Sequence, residues 1–362
     1  MDFEAVSPDT ALTFSSGQTM KNRFMLAPLT NTQSHADGRL SDGERNWLRM
    51  RAQGQFGLVM TCATSVQHAG KCWSGQLGIY DERHLPGHRL LTEQIKEQGS
   101  LAVSQLHHGG IRADPQVTGE QAVGPSETKK HQARGLSLAE VERVRDDFIA
   151  AAQRAQQVGY DGVEIHGAHG YLIAQFLSPE LNQREDAYGG SLENRFRLMQ
   201  EILEGIRVAC GPNFLLGVRL SPERFGMVLD EVKAVSQWLI DSEQLDFLDI
   251  SLWDTFKQPE GPNSQGPSLL EHFTSLDRKK VKLTVAGKIH GGKEVHRALA
   301  LGVDFVTIGR SGILHHDFPA RVMQDEDFEP QPLPVTQAYL RQEGLSDPFI
   351  DYMRRWEGFV EG

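Results

Sequence analysis

Eight short apolar runs recur along the chain with helix-like segments between them, and this alternation limits the fold more than any other feature. The runs are Phe24–Leu29, Gly57–Thr61, Leu101–Leu106, Gly162–His166, Leu215–Leu220, Phe247–Ser251, Lys282–Ala286 and Asp304–Ile308. Helical patterns fall around 43–53, 86–98, 137–158, 191–209, 229–241, 268–278 and 290–301. Strands that alternate with helices pair in parallel, and eight of them close a (β/α)8 TIM barrel. A doubly wound open sheet uses fewer strands and carries a glycine-rich turn after the first. Here the first run ends in Ala27-Pro28-Leu29-Thr30, with no G-x-G-x-x-G. The barrel is therefore expected over about 20–320, within a single domain spanning 1–362.

Local signals fill in this frame. Leu12-Thr-Phe14 and Met20-Lys-Asn-Arg-Phe24 flank Ser15-Ser-Gly-Gln and predict an N-terminal hairpin. Ser137-Leu-Ala-Glu140 is a capping box that opens an amphipathic run including Val141, Val144, Phe148 and Ala152. The connections 107–136, 167–190 and 252–267 are long and rich in Gly, Pro, Ser and Asn, and they follow strands, where barrels build active sites. The segment from about 320 to 362 is Pro-rich, then helical, and reads as a C-terminal extension appended to the barrel.

Composition narrows the function classes. With 37 basic against 48 acidic residues the formal charge is −11, which argues against a nucleic-acid or anionic-membrane surface. No apolar run approaches the ~20 residues of a membrane span, and the opening Met1-Asp-Phe-Glu-Ala lacks the pattern of a secretory signal. The three cysteines, Cys62, Cys72 and Cys210, form no C-x-x-C pair. That excludes a cysteine-ligated metal module and suits a cytoplasmic setting.

The chemistry concentrates in Gly162-Val-Glu-Ile-His166-Gly-Ala-His169-Gly-Tyr171. Val163 and Ile165 alternate with Glu164 as a strand does, and His166 ends it. His169 and Tyr171 follow at +3 and +5, which is not one helical face, so the three groups are expected to converge on an irregular turn. Gln105 and Arg219 lie inside apolar runs, where an amide or guanidinium needs partners. Two such groups facing one barrel mouth point to a polar ligand with hydrogen-bonding edges. Gly287, followed by Gly291-Gly292, and Gly309-Arg310 match a barrel phosphate site.

These motifs resemble those of the old yellow enzyme family of FMN-dependent ene-reductases. The resemblance is carried by Lys21-Asn-Arg-Phe-Met-Leu-Ala-Pro-Leu-Thr30, Gln105-Leu-His-His-Gly-Gly110 and the His166/His169/Tyr171 stretch. It continues through Phe176-Leu-Ser-Pro, Asn182 to Arg195, and Gly302-Val-Asp-Phe-Val-Thr-Ile-Gly-Arg310. It implies tightly bound, non-covalent FMN, NAD(P)H as reductant, and an electron-poor alkene as acceptor. Ala27, Pro28, Leu29 and Thr30 would pass under the flavin, Ala63 would line it, Gln105 would pair with its pyrimidine edge and Arg219 would stabilise its reduced anion. Gly287, Gly309 and Arg310 would hold the phosphate. His166 and His169 would bind the acceptor's oxygen, and Tyr171 would protonate its α-carbon. The resemblance also implies a homo-oligomer, with Arg354 or Arg355 reaching a neighbouring site.

The chain departs from the family pattern at Cys62, where glutamate is common, at Thr30 and Thr32, and at Lys288, where glycine is common. The rival readings are a relative acting oxidatively or on C–N bonds, a non-catalytic flavin binder, and a metal held by Glu164, His166 and His169. His107, His108, Asn182, Arg184, Tyr188, Gly189 and Gly190 are expected to brace loops. Trp73, Trp253 and Phe256 are candidate lid aromatics.

Overall fold

A computed structural model describes residues 6–362, and the reading of Met1–Ala5 falls outside those residues. The eight barrel strands are Phe24–Leu26, Leu58–Ser65, Leu101–His107, Gly162–Gly167, Leu215–Leu220, Phe247–Ser251, Lys282–Ala286 and Phe305–Ile308. Each pairs in parallel with the next and the last pairs with the first, which closes the barrel. Both faces of every strand are covered, so the runs are almost continuously apolar rather than alternating.

The period-two alternation sorts side chains between two cores. Outward residues such as Val59, Leu106, Val163 and Ile165 meet the helices. Inward residues near the strand starts, among them Met25, Leu58, Leu101, Leu215, Phe247 and Phe305, fill the lower barrel. The N-terminal hairpin, Leu12–Thr13 with Thr19–Met20, plugs that end. Its Phe14 ring lies 5.9 Å from Phe247 and 5.7 Å from Phe305. Gly217 faces Phe247, and a Cβ there would sit 2.0 Å from the ring, so only glycine leaves room for the phenyl group.

The helices begin where their sequences start them. Ser41, Ser137 and Ser191 each accept a backbone N–H in the first turn of the helices Asp42–Gln53, Leu138–Gln157 and Leu192–Cys210. At Ser137 the reciprocal bond from Glu140 completes the capping box, and such caps contribute ~1 kcal/mol. The Val141, Val144, Phe148, Ala152 and Ala155 stripe is buried against the barrel layer. Phe148→Ala would cost about 3–5 kcal/mol there.

Two expectations are corrected. The first strand ends at Leu26 rather than Leu29: Ala27 still donates to Ile308, but Pro28 has no N–H to extend a ladder. The helix expected over 268–278 is only Glu271–Thr274, because the chain turns back before the seventh strand with Lys279 at φ 50°. The C-terminal segment packs closely on the barrel. Its helices Phe318–Gln324, Gln337–Gln342 and Asp347–Met353 bury Leu340, Phe349, Ile350 and Met353 in the outer core. Phe349 stacks edge-on at 5.2 Å from Trp47, and Thr32 Oγ1 donates to the Pro348 carbonyl at 3.1 Å. Among the described residues no helix is long and apolar enough to cross a membrane.

Candidate active site

A cavity of about 470 Å³ opens at the C-terminal ends of the barrel strands. All thirteen residues expected to hold flavin or acceptor line it: Ala27, Pro28, Leu29, Thr30, Ala63, Gln105, His166, His169, Tyr171, Arg219, Gly287, Gly309 and Arg310. Ala63 reaches it through a bulge between Met60 and Ala63, which shifts the second strand's register against the third before Ala63 pairs with Gln105.

The floor is polar and fully buried. Gln105 Nε2 donates to Glu164 Oε1 at 2.7 Å, which leaves Gln105 Oε1 buried with no donor. Arg219 Nε lies 3.2 Å from Asp249 Oδ2, yet its N–H is not aligned to form a hydrogen bond. We read this as an ion pair with a donor still to spare. Asp249 was missed in the sequence, although it carries the same signal as Gln105: a charged residue inside an apolar run.

The acceptor-binding candidates form one aromatic cluster. The His166 ring centroid lies 5.1 Å from His169 and 5.0 Å from Tyr171. His169 sits in the left-handed region at φ 58°, where its N–H donates to Ser221 Oγ at 3.0 Å. The expected irregular turn is thus formed, held by a strained residue and a tight hydrogen bond. The Ala168 N–H donates to His166 Nδ1 at 3.4 Å, so this ring carries its proton on Nε2. His169 Nε2 is 2.7 Å from Ser251 Oγ.

Burial pushes both imidazoles down, His169 to about 3, with the Arg219 charge acting in the same direction. They are neutral hydrogen-bonding groups at pH 7. Burial raises the Tyr171 phenol to about 12, and nearby Cys72 adds to the rise against the opposing charge of Arg112. Arg112 lies 4.6 Å over the Tyr171 ring and donates to the His169 carbonyl at 2.5 Å. His107 supports the ring from behind at 4.4 Å and is tied to Gln76 Nε2 at 3.1 Å.

The opposite end of the cavity is built from turns. A Cβ on Gly287 (φ 154°) would lie 2.9 Å from the Trp253 and Asp254 backbone, so glycine is required by a close chain approach. A Cβ on Gly309 would meet only Leu29 Cδ2, at an ordinary 3.8 Å. Arg310 has no carboxylate partner among the described residues, whereas Lys288 Nζ is 3.1 Å from Asp254.

Other residues reached the site without a sequence signal. Tyr352, Met353, Trp356 and Phe359 of the C-terminal segment wall the cavity beside Trp73, Trp253 and Ser251. Within the chain, Arg354 pairs with Asp351, and Arg355 lies over the Tyr352 ring. Buried Glu44 accepts from Asn31 Nδ2 at 2.9 Å, from Ser34 Oγ and from Cys62 Sγ at 3.2 Å, so it ties down the loop that carries Ala27 to Thr30. Phe256 does not line the cavity and lies under Arg297. The loop residues are structural in their contacts: Asn182 donates to the Phe176 and Tyr188 carbonyls, and Arg184 binds Asp186. His108 pairs with Gln67. Among the described residues no group of three or more His, Cys, Asp or Glu is placed to hold a metal ion, contrary to the rival reading of Glu164, His166 and His169.

The profile of the NADH:flavin oxidoreductase / NADH oxidase family matches residues 11–328. A probable NADH-dependent flavin oxidoreductase of Bacillus subtilis (strain 168) is 35% identical over 326 residues, which is 87% of this chain and 87% of that protein. The old yellow enzyme homologue from Zymomonas mobilis superposes with a TM-score of 0.80 at 28% identity, over 94% of this chain and 99% of that one. Morphinone reductase in complex with tetrahydroNAD gives 0.79 at 27% identity, over 94% and 97%. The chain spans about half, 52%, of the 2-naphthoyl-CoA reductase structure that it also matches.

Proposed function

The chain belongs to the NADH:flavin oxidoreductase / NADH oxidase family, and from that premise we propose that it is an NAD(P)H-driven, FMN-dependent reductase of electron-poor alkenes. The cavity's unmet polar groups fit FMN. Gln105 Oε1 is a buried acceptor without a donor, which suits the N–H edge of a flavin, and Arg219 Nε is a buried donor without an aligned acceptor. Ala27 to Thr30 and Ala63 are small or apolar walls suited to a flat ring. Gly287, Gly309 and the unpaired Arg310 would take the phosphate by backbone N–H and guanidinium.

When bound, FMN supplies hydride exchange, first with NAD(P)H and then with the acceptor. The chain's own residues do the rest. Arg219, always charged, would stabilise negative charge over the floor. His166 presents a neutral Nε2–H to the cavity and would bind the acceptor's carbonyl oxygen, strengthening as charge develops there. His169 would join it by exchanging Ser251 for the ligand. Tyr171 holds its proton at neutral pH and would release it to the α-carbon. Trp73, Trp253, Tyr352 and Trp356 would exclude water from that side.

The observation that carries this reading is the opposition within one cavity. Unsatisfied polar atoms of Gln105 and Arg219 line its floor, and two neutral histidines and a protonated tyrosine line its rim. The test is anaerobic. FMN-loaded protein is mixed with NADH or NADPH, freed of excess nucleotide, and then given a panel of cyclic enones and methylated amines. Bleaching followed by recovery of the yellow colour with enones is the expected result. A reduced protein that no enone reoxidises, or a folded protein without affinity for FMN, would overturn the proposal.

A further inference from the structure

Below the cavity floor, out of reach of any ligand in it, Glu164 and Asp249 are both completely buried. Neither lines the cavity. They project inward from the fourth and sixth strands, and the strand between them contributes Gly217 opposite Glu164 and Arg219 opposite Asp249. Each touches a floor residue: Glu164 accepts from Gln105, and Asp249 faces Arg219. They lie close enough in the barrel interior for the Asp249 charge to raise the Glu164 carboxyl.

Taken as two carboxylates this arrangement is unsatisfied. Glu164 Oε2 and both oxygens of Asp249 have no hydrogen-bond donor, so acceptor faces acceptor in the barrel interior. Two buried negative charges would also stand against one guanidinium, and an uncompensated charge there is costly. One proton between the two carboxyls removes both conflicts. It supplies the missing donor and leaves a neutral set: one carboxylate, one guanidinium, one carboxylic acid and one amide.

The contacts say where that proton resides. Arg219 stands beside Asp249, which favours the charged form on that residue. Glu164 has only the Gln105 amide and Asp249, and burial together with the Asp249 charge holds it well above the usual carboxylate range. Glu164 is then the acid, donating from Oε2 to Asp249 while its Oε1 accepts from Gln105. The chain of bonds has a consequence at the floor. Because the Gln105 amide nitrogen is committed to Glu164, its carbonyl oxygen must face the cavity.

We propose that Glu164 and Asp249 are positioning residues that share one proton beneath the cavity, fixing the orientation of Gln105 and neutralising Arg219 so that the floor presents one acceptor and one guanidinium to the flavin. The consequence for flavin rests on the function proposed above, whereas the shared proton does not.

The experiment compares E164Q, E164L and D249N with the parent protein, each checked for folding by far-UV circular dichroism. A glutamine at 164 can accept from Gln105 and donate to Asp249, so it keeps both the bonds and the charge. E164Q should therefore retain the affinity for FMN and the reduction potential of the bound flavin. It should lose an infrared carbonyl band of a buried carboxylic acid that the parent shows at neutral pH. E164L frees Gln105 to rotate and should weaken FMN binding by about tenfold or more, as expected for a buried amide left unpaired. D249N removes the counter-charge of Arg219 and should raise the potential of bound flavin.

Absence of the acid band from the parent at neutral pH would overturn the shared proton. So would a potential shift in E164Q as large as that in D249N, because Glu164 would then be ionised. An unchanged potential in folded D249N would overturn the counter-ion role. The infrared arm is also read on protein without flavin, so a failure of the flavin reading shows separately as a parent protein that does not bind FMN.

Discussion

Replacing Tyr171 with phenylalanine removes one oxygen atom and leaves the ring's contacts in place. The phenyl group would still lie against His107 at 4.4 Å, against His166 at 5.0 Å and beneath Arg112 at 4.6 Å. Only the proton is lost. With the phenol pushed up to about 12, roughly one molecule in 10⁵ is ionised at pH 7, so the parent site is fully armed as an acid. His166 and His169 are neutral and would be engaged with the acceptor's oxygen, so they are not placed to substitute.

Loss of a positioned general acid costs about a hundredfold to ten-thousandfold, or roughly 3–5 kcal/mol of barrier. Stopped-flow absorbance separates the two half-reactions. Reduction by NAD(P)H should change by less than about threefold, because it needs no proton from residue 171, while reoxidation by an enone should fall by about 10²–10⁴. The parent reoxidation rate should stay flat between pH 6 and about 9, below the phenol's titration. Equal slowing of both half-reactions, or no slowing of either, would refute the assignment of the proton to Tyr171.

Three further outcomes follow from the same geometry. Arg310→Ala should raise the Kd for FMN by about tenfold to a hundredfold while leaving riboflavin binding nearly unchanged, since only the phosphate would meet the guanidinium; equal weakening of both ligands would contradict that role. Gly217→Ala places a methyl group 2.0 Å from the Phe247 ring and should cost about 1–3 kcal/mol or more in urea unfolding, and a neutral result would mean that the lower barrel is not packed as described. His88 is buried between Tyr160 and Gly78 with its imidazole held down to about 4, below its ordinary 6.5. Above pH 6.5 both states are neutral and the group contributes nothing; between 6.5 and 4 the unfolded chain takes a proton that the fold refuses, so stability falls with falling pH by about 3 kcal/mol. In His88→Gln the decline over that window should be correspondingly shallower, and an identical slope would show that His88 does not remain neutral.

The barrel was legible because its strands are short, buried on both faces and separated by capped amphipathic helices, all of which are local signals. The cavity residues followed from the same source: strand ends converge on one mouth, and an amide at 105 or a guanidinium at 219 inside an apolar run announces a polar partner. Applied once more, that rule would have found Asp249 within Phe247-Leu-Asp-Ile-Ser. The C-terminal wall was not legible. Tyr352 and Trp356 have helical spacing, but their place over the cavity depends on contacts such as Gln33 with Ser346 and Trp47 with Phe349, some three hundred residues apart in sequence. Glu44 was hidden for a similar reason, since its partners are split between the loop of Asn31 and Ser34 and Cys62 of the second strand, and its own helix pattern marks it only as a polar position. The His169–Ser251 contact likewise joins two strand ends and has no sequence signature.

The most direct test of the central claim is isotopic. FMN-loaded protein turns over a cyclic enone, once with nicotinamide deuterated at C4 in ordinary water and once with unlabelled nicotinamide in deuterated water, and the product is read by NMR. Label from the nicotinamide should appear on the carbon β to the carbonyl and solvent label on the α-carbon, with the solvent-derived step alone slowed in Tyr171→Phe. Reduction of the carbonyl instead of the alkene, or both labels on one carbon, would contradict the account.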